Sequence, residues 1–334
     1  MIKLNAFKTD QISLLDRAYR AATNNELFFN QGCGDYDYLE ELVRIYNEIP
    51  DLKSVDIKWQ ESKKLLGLEM ANGTFISSAN KFLPSESKIA YIRKIMPLNA
   101  NQNTPVVVHF PGTGDEGFKR REFFLAVPLA KKGIGSIILE APYYGERRPH
   151  HQNGMYIREA SDLFKMVHSM FEEGRSLIDY LEKQGFKNVI TTGFSMGGVL
   201  SIMTSFNHDL VKGVIPCVTP HSPHPVFLEQ TLKDSINWEA MWKDLPKEFN
   251  TPQDYLAKYF NLSNMETFPR FRIPKEVEII AATHDAYVPK ISGEILAKEL
   301  NAKQVTWVDG GHVSALVLYS NIVRQKIFEV CERV

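Results

Sequence analysis

At 334 residues, with 44% hydrophobic and 24% charged side chains, the sequence has the make-up of a folded globular protein, and the length of one large domain or two small ones. A formal net charge of −1 gives no electrostatic ground for a nucleic-acid partner, and no apolar run approaches the ~18 residues a spanning helix needs. Three cysteines, Cys33, Cys217 and Cys331, are too few and too scattered for a disulfide framework or a thiolate metal site.

The first ten residues lack a continuous apolar stretch, so no secretory signal is visible and a cytoplasmic location is expected. Helical apolar spacing at Leu14, Leu15, Ala18 and Ala22, and again at Leu39, Leu42, Val43 and Tyr46, predicts accessory helices over 11–22 and 36–49 within an N-terminal segment 1–50. Short alternating stretches over 54–97 predict antiparallel strands that open a sheet. From Thr104 the rhythm changes to continuous apolar runs at 106–108, 136–139, 189–190, 214–215, 277–281 and 305–308. Helical segments near 119–132, 156–184, 197–206, 290–300 and 314–331 separate most of them. Buried strands alternating with helices predict an α/β fold with about eight mainly parallel strands and helices on both faces. Residues 219–272 interrupt the alternation and predict a helical cap inserted into a domain over 51–334. Their aromatics, Phe227, Trp238, Trp242, Tyr255, Tyr259 and Phe260, either form an apolar acyl pocket or bury the cap against the core.

The run Asn188 to Thr192 leads into Gly193-Phe194-Ser195-Met196-Gly197, and a helix-compatible segment follows. A Gly-x-Ser-x-Gly turn between strand and helix lifts the serine hydroxyl clear of the sheet, and its small neighbours let the backbones pass. A serine becomes a nucleophile only when a base takes its proton and a third group fixes that base. Asp285 follows the apolar run 277–281, and His312 follows the run 305–308, so both emerge at the sheet edge that carries Ser195. Asp309, on the turn before His312, would have to fold back on itself to serve instead. The amides of Met196 and Thr113 are the expected oxyanion donors, the latter because Gly112 and Gly114 let the loop turn inward, with the Gly112 or Gly114 amide as the alternative to Thr113.

His109 reads as a buried strand-end residue rather than a second base. The loop over 140–151 faces the same edge; either it is a solvated loop, or Tyr143 or Tyr144 lines the pocket and Arg147 or Arg148 meets a carboxylate or phosphate on the substrate. His150-His151 and His221-x-x-His224 lack zinc-type spacing, so neither a metal nor any other cofactor is expected.

Five segments together resemble the α/β-hydrolase superfamily, and within it the α/β-hydrolase domain-containing protein 18 group. They are His109-x-x-Gly112-Thr113-Gly114-Asp115 with the basic Lys119-Arg120-Arg121, Leu139-Glu140-x-Pro142-Tyr143-Tyr144-Gly145, Gly193-x-Ser195-Met196-Gly197-Gly198, Asp285-Ala286-Tyr287-x-Pro289 and Gly310-Gly311-His312-x-Ser314-Ala315. The resemblance covers about residues 104–334 and implies a serine hydrolase with Ser195, Asp285 and His312 as its triad. The expected reaction is hydrolysis of a carboxylic ester, of a small molecule or a lipid, through an acyl-enzyme; amide hydrolysis or acyl transfer on the same triad, and a non-catalytic binding role, are the alternatives. Transient membrane contact and oligomeric state are left open.

Overall fold

A computed structural model of the chain describes residues 13–23, 26–49, 51–206 and 208–334. The first twelve residues of the expected N-terminal segment lie outside the described ones. Two helices come first, α1 (Leu14–Thr23) and α2 (Tyr36–Asn47), the second capped by the Asp35 carboxylate, which accepts the Tyr38 amide at 3.0 Å. Antiparallel strands follow, β1 (Lys58–Trp59), β2 (Lys63–Leu65), β3 (Leu68–Ile76) and β4 (Ile89–Pro97). The strand–helix alternation then starts with β5 (Val106–Phe110). The expected helix over 119–132 is interrupted: α3 (Lys119–Arg121) and α4 (Val127–Ala130) are joined by a π turn over Glu122–Ala126. Next come β6 (Gly135–Leu139), α5 (Ala160–Lys183), β7 (Val189–Phe194), α6 (Met196–Ser205) and β8 (Val211–Cys217). The insertion carries α7 (Trp238–Lys243) and α8 (Pro252–Phe260). The chain finishes with β9 (Glu276–Val277), β10 (Ile279–Ala282), α9 (Ile291–Glu299), β11 (Val305–Val308), α10 (His312–Val317) and α11 (Ser320–Arg333).

Among the described residues the strands form one sheet in the order β1-β3-β4-β6-β5-β7-β8-β10-β11, with β2 on β3 and β9 on β8. β3, β4 and β6 pair antiparallel, and every pair from β6 to β11 is parallel. β5 shows why its apolar run is continuous. Val106, Val108 and Phe110 pack on one face with Phe171 and Leu177 of α5, while Val107 packs on the other with Leu125, Leu129, Ile327 and Val330. Side chains alternate along a strand, so a strand covered on both faces needs apolar residues at every position.

The insertion and the N-terminal segment interlock. Phe28 donates its amide to Ser235 O at 2.8 Å and accepts the Asn237 amide at 2.9 Å, while Phe29 and Gln31 bond back to Ile157 O and Arg158 O. Tyr255 Oη donates to Cys33 O at 3.0 Å and Tyr259 Oη to Glu40 at 2.6 Å. Residues 28–33 thus lie between the insertion and the chain leading into α5.

Candidate active site

β7 delivers Ser195 and α6 begins at Met196. Ser195 adopts φ 56° and ψ −121°, a sparsely populated conformation for a residue with a side chain. The two flanking glycines are a steric necessity. A Cβ on Gly193 would lie 2.3 Å from the Gly197 carbonyl, and one on Gly197 would lie 2.5 Å from Phe110 O. The turn is held by the Ser195 amide, which donates to Cys217 O at 2.9 Å.

Asp285 follows β10 and is buried; its Oδ2 lies 2.8 Å from His312 Nδ1. Its Oδ1 accepts the amides of Tyr287 and Val288 at 2.8 and 2.9 Å, so both lone-pair edges of the carboxylate are used. Asp309 is exposed and turns to His284 Nε2 at 3.1 Å. With Nδ1 committed to Asp285, the free nitrogen of His312 is Nε2, and His312 and Ser195 stand on the wall of one cavity. The Tyr287 ring packs on the His312 ring, with centroids 5.2 Å apart.

The loop after β5 is held from behind. Arg121, buried, pairs with Asp115 at 2.7 Å and donates to Leu139 O, Gly117 O and His109 O. Glu140 Oε1 accepts the Gly117 amide at 2.9 Å, and the Tyr144 hydroxyl donates to Met155 O. Thr113 lines the same cavity as Ser195 and lies against Met196, and neither its amide nor that of Met196 donates to a backbone carbonyl among the described residues. Met196 is the first residue of α6 and has no intrahelical carbonyl within reach. Gly112 sits against the elbow, where a Cβ would be 2.8 Å from Phe194 O. His109 is buried beside Ser136 Oγ at 3.1 Å, and burial together with Arg121 pushes its pKa down to about 3.

The cavity measures about 430 Å³, within the ~300–1,000 Å³ of small-molecule sites. Its wall is largely apolar, with Phe110, Phe164, Val199, Val226, Phe227 and Phe260 among its members. Of the aromatics singled out in 219–272, only Phe227 and Phe260 reach it. Trp242 is 53% exposed, and Trp238 Nε1 donates to Lys233 O.

Four expected substrate contacts are corrected. Arg147 is fully buried, its guanidinium clasped by Glu173 at 2.6 and 2.9 Å and donating to Ser87 O and Glu140 O. Arg148 pairs with Glu116 outside the cavity wall. Tyr143 and Tyr144 are buried and donate to Asp162 and Met155 O rather than lining the cavity. These four side chains brace the loops. Two arginines stand on the wall: Arg121, buried and paired with Asp115, and Arg120, exposed and without an ion pair among the described residues. Sequence reasoning grouped Arg120 with a basic run and missed it, because a helical Lys-Arg-Arg does not say which member stays unpaired at the site. It also missed Tyr19 and Phe28, which line the cavity from the N-terminal segment, and Asp16, buried on α1.

The family model described as Alpha/beta hydrolase domain containing 18 matches residues 26–264 and 251–333. A carboxylesterase of Bacillus subtilis (strain 168) is 27% identical over 175 residues, an alignment spanning 46% of this chain and 68% of that protein. The putative esterase YitV of the same strain is 26% identical over 166 residues, 48% of this chain and 62% of that protein. Among solved structures, the acetyl xylan esterase from Paenibacillus sp. R4 superposes with a TM-score of 0.59 at 13% identity, over 92% of this chain and 98% of that one. Acetyl xylan esterase 1 from Thermoanaerobacterium sp. JW/SL YS485 gives 0.57 at 14% identity, over 93% and 98%. At such identities the structural likeness speaks for the α/β-hydrolase fold. No helix among the described residues is long and apolar enough to cross a membrane.

Proposed function

The chain belongs to the Alpha/beta hydrolase domain containing 18 family, and from that premise we propose that this ester hydrolase works through Ser195, His312 and Asp285 by way of an acyl-enzyme. One observation carries the reading: the 2.8 Å Asp285–His312 contact leaves His312 Nε2 free on the same cavity wall as a serine held at positive φ. Ser195 Oγ attacks the ester carbonyl carbon while His312 Nε2 takes its proton. The Met196 and Thr113 amides hold the oxyanion, and His312 returns the proton to the departing alcohol. Water then repeats the sequence on the acyl-enzyme and releases the acid.

The pH dependence follows from His312. Burial favours its neutral form, but the Asp285 and Asp16 carboxylates outweigh burial, and the pKa rises above its ordinary 6.5. A base must be neutral, so activity is expected to fall with pH through a midpoint above 6.5. The stability linkage has the opposite sense: the charged form stabilises the fold below the unfolded pKa, and that contribution is lost as pH rises through the folded one. A pH profile of kcat/KM checks this; an acid limb well below 6.5 would remove His312 from the role of base.

The apolar wall favours an acyl chain, as in a lipid ester, over an acetyl group. Across a series of 4-nitrophenyl esters, kcat/KM is expected to rise from acetyl to medium-length chains. Peak activity on acetyl would discard the lipid reading and leave a small-ester or acetyl esterase. Arg120→Ala is expected to raise KM for anionic esters roughly 2- to 5-fold, the worth of an exposed ion pair, and to change neutral esters less. Arg148→Ala, away from the wall, is expected to change neither; equal losses for both ester types in Arg120→Ala would make that arginine structural.

A further inference from the structure

One buried carboxylate outside the triad binds both of the loops that carry its acid and base. Asp16 on α1 is 1% exposed. Its Oδ2 accepts the His312 amide at 2.8 Å and the Ala286 amide at 3.1 Å, and its Oδ1 accepts the Val313 amide at 2.9 Å. Ala286 directly follows Asp285, so a single side chain ties the backbone beside the acid to the backbone of the base. α10 is short, and its first amides have no intrahelical acceptor. Gly311, just before it, has no side chain with which to cap them, and a Cβ there would meet Asp16 Oδ2 at 2.5 Å and Ser13 Cβ at 2.4 Å. The Ser13 amide bonds to His284 O at 3.1 Å, fastening the start of α1 to the acid loop as well.

We propose that Asp16 is a positioning residue for the triad: it caps the helix that presents His312 from another part of the chain, and it sets the distance between His312 and Asp285. This rests on the reading of Ser195, His312 and Asp285 given above. Asp16 does not touch the reacting atoms and acts through the two loops. The charged and titratable groups around the His312 ring are Asp285 from the loop after β10 and Asp16 from α1, with the Tyr287 ring packed against it. His284 and Asp309, on the neighbouring turns, pair with each other.

The test uses the full chain and two readouts, each normalised to the number of Ser195 sites titrated by a fluorophosphonate. These are kcat and KM on a short neutral 4-nitrophenyl ester, and the pH profile of kcat/KM. Asp16→Asn keeps the shape, removes the charge and offers an NH₂ to one of the three amides. It is expected to lower per-site kcat about 10- to 100-fold, as small misplacements of a catalytic group do, with little change in KM and with the acid limb moved to lower pH. Asp16→Glu keeps the charge but displaces it, and is expected to lower kcat while leaving the acid limb near its wild-type position. Gly311→Ala leaves Asp16 in the sequence but drives α1 away, and combined with Asp16→Asn it is expected to cost less than the two separate losses multiplied together. If Asp16→Asn yields fewer titratable sites, each with wild-type kcat and pH profile, the role is only structural and the proposal is overturned. Wild-type turnover per site in Asp16→Asn overturns it equally. Should the wild-type chain fail to label at Ser195, the triad reading itself falls, which separates the two failures.

Discussion

Replacing Ser195 with alanine is expected to abolish fluorophosphonate labelling and to lower kcat by roughly 10⁴- to 10⁶-fold, the scale seen when a triad nucleophile is removed. Folding should survive, because Ser195 is anchored through its backbone, with the amide on Cys217 O and φ at 56°. Alanine at this φ retains the strain of the turn, of about 1–3 kcal/mol, without adding to it. What remains should be the catalysis supplied by the two amides and by the cavity. The measurement is probe labelling alongside ester turnover on protein of verified fold. Equal labelling of Ser195→Ala and wild type would place the nucleophile elsewhere and remove the basis of the mechanism.

Truncating Glu173 to alanine is expected to cost about 3–5 kcal/mol of folding free energy, the largest stability effect among these variants, because it leaves the Arg147 guanidinium buried without its counter-charge. Both side chains are 0% exposed, so water cannot take over the role of the carboxylate without rearrangement. Denaturant unfolding reads this directly. Arg147→Met combined with Glu173→Leu should be less damaging than Glu173→Ala, since it removes both charges, yet it leaves Ser87 O and Glu140 O without their donor. A loss below about 1 kcal/mol for Glu173→Ala would mean that the pair is hydrated and contributes as a surface pair does. In the surviving folded fraction, per-site KM for anionic esters should stay at its wild-type value, the reverse of what a substrate-binding Arg147 would give.

The two outcomes for arginine show what a linear pattern carries. Arg147 and Arg148 follow a strand at the functional edge of the sheet, where a cation is expected to meet an anionic ligand. Whether a guanidinium looks into a cavity or back into the core depends on what stands beneath it. For Arg147 that is Glu173, 26 positions away on α5. Arg120 has the opposite history. Its neighbour Arg121 has nearly the same local sequence and also borders the cavity, yet it is buried and paired with Asp115, while Arg120 is exposed and has no ion pair among the described residues. In the insertion, Trp238 and Trp242 share a helical stripe that reads like a pocket lining. Phe227 and Phe260 take that place, Phe227 packed against Phe28 and Phe29 of the N-terminal segment, while Trp242 is exposed and Trp238 Nε1 donates to Lys233 O.

By itself the sequence determined the features that depend on local geometry and chain order. The continuous apolar runs required a sheet covered on both faces. The glycines at 193 and 197 allowed a serine at positive φ between strand and helix, and the strand ends put Ser195, Asp285 and His312 on one edge. These follow from short-range sterics and from side-chain periodicity, and both act over a few residues. Only the tertiary structure decided which polar side chains face the cavity and which brace it, because that depends on partners brought together by folding. Asp16 is the clearest case. In Leu14-Leu15-Asp16-Arg17 it reads as an ordinary acidic residue in the first turn of a helix. Its partners are amides 270, 296 and 297 positions away, and no local pattern can encode a contact whose other half is made only when α1 docks on the turn before α10.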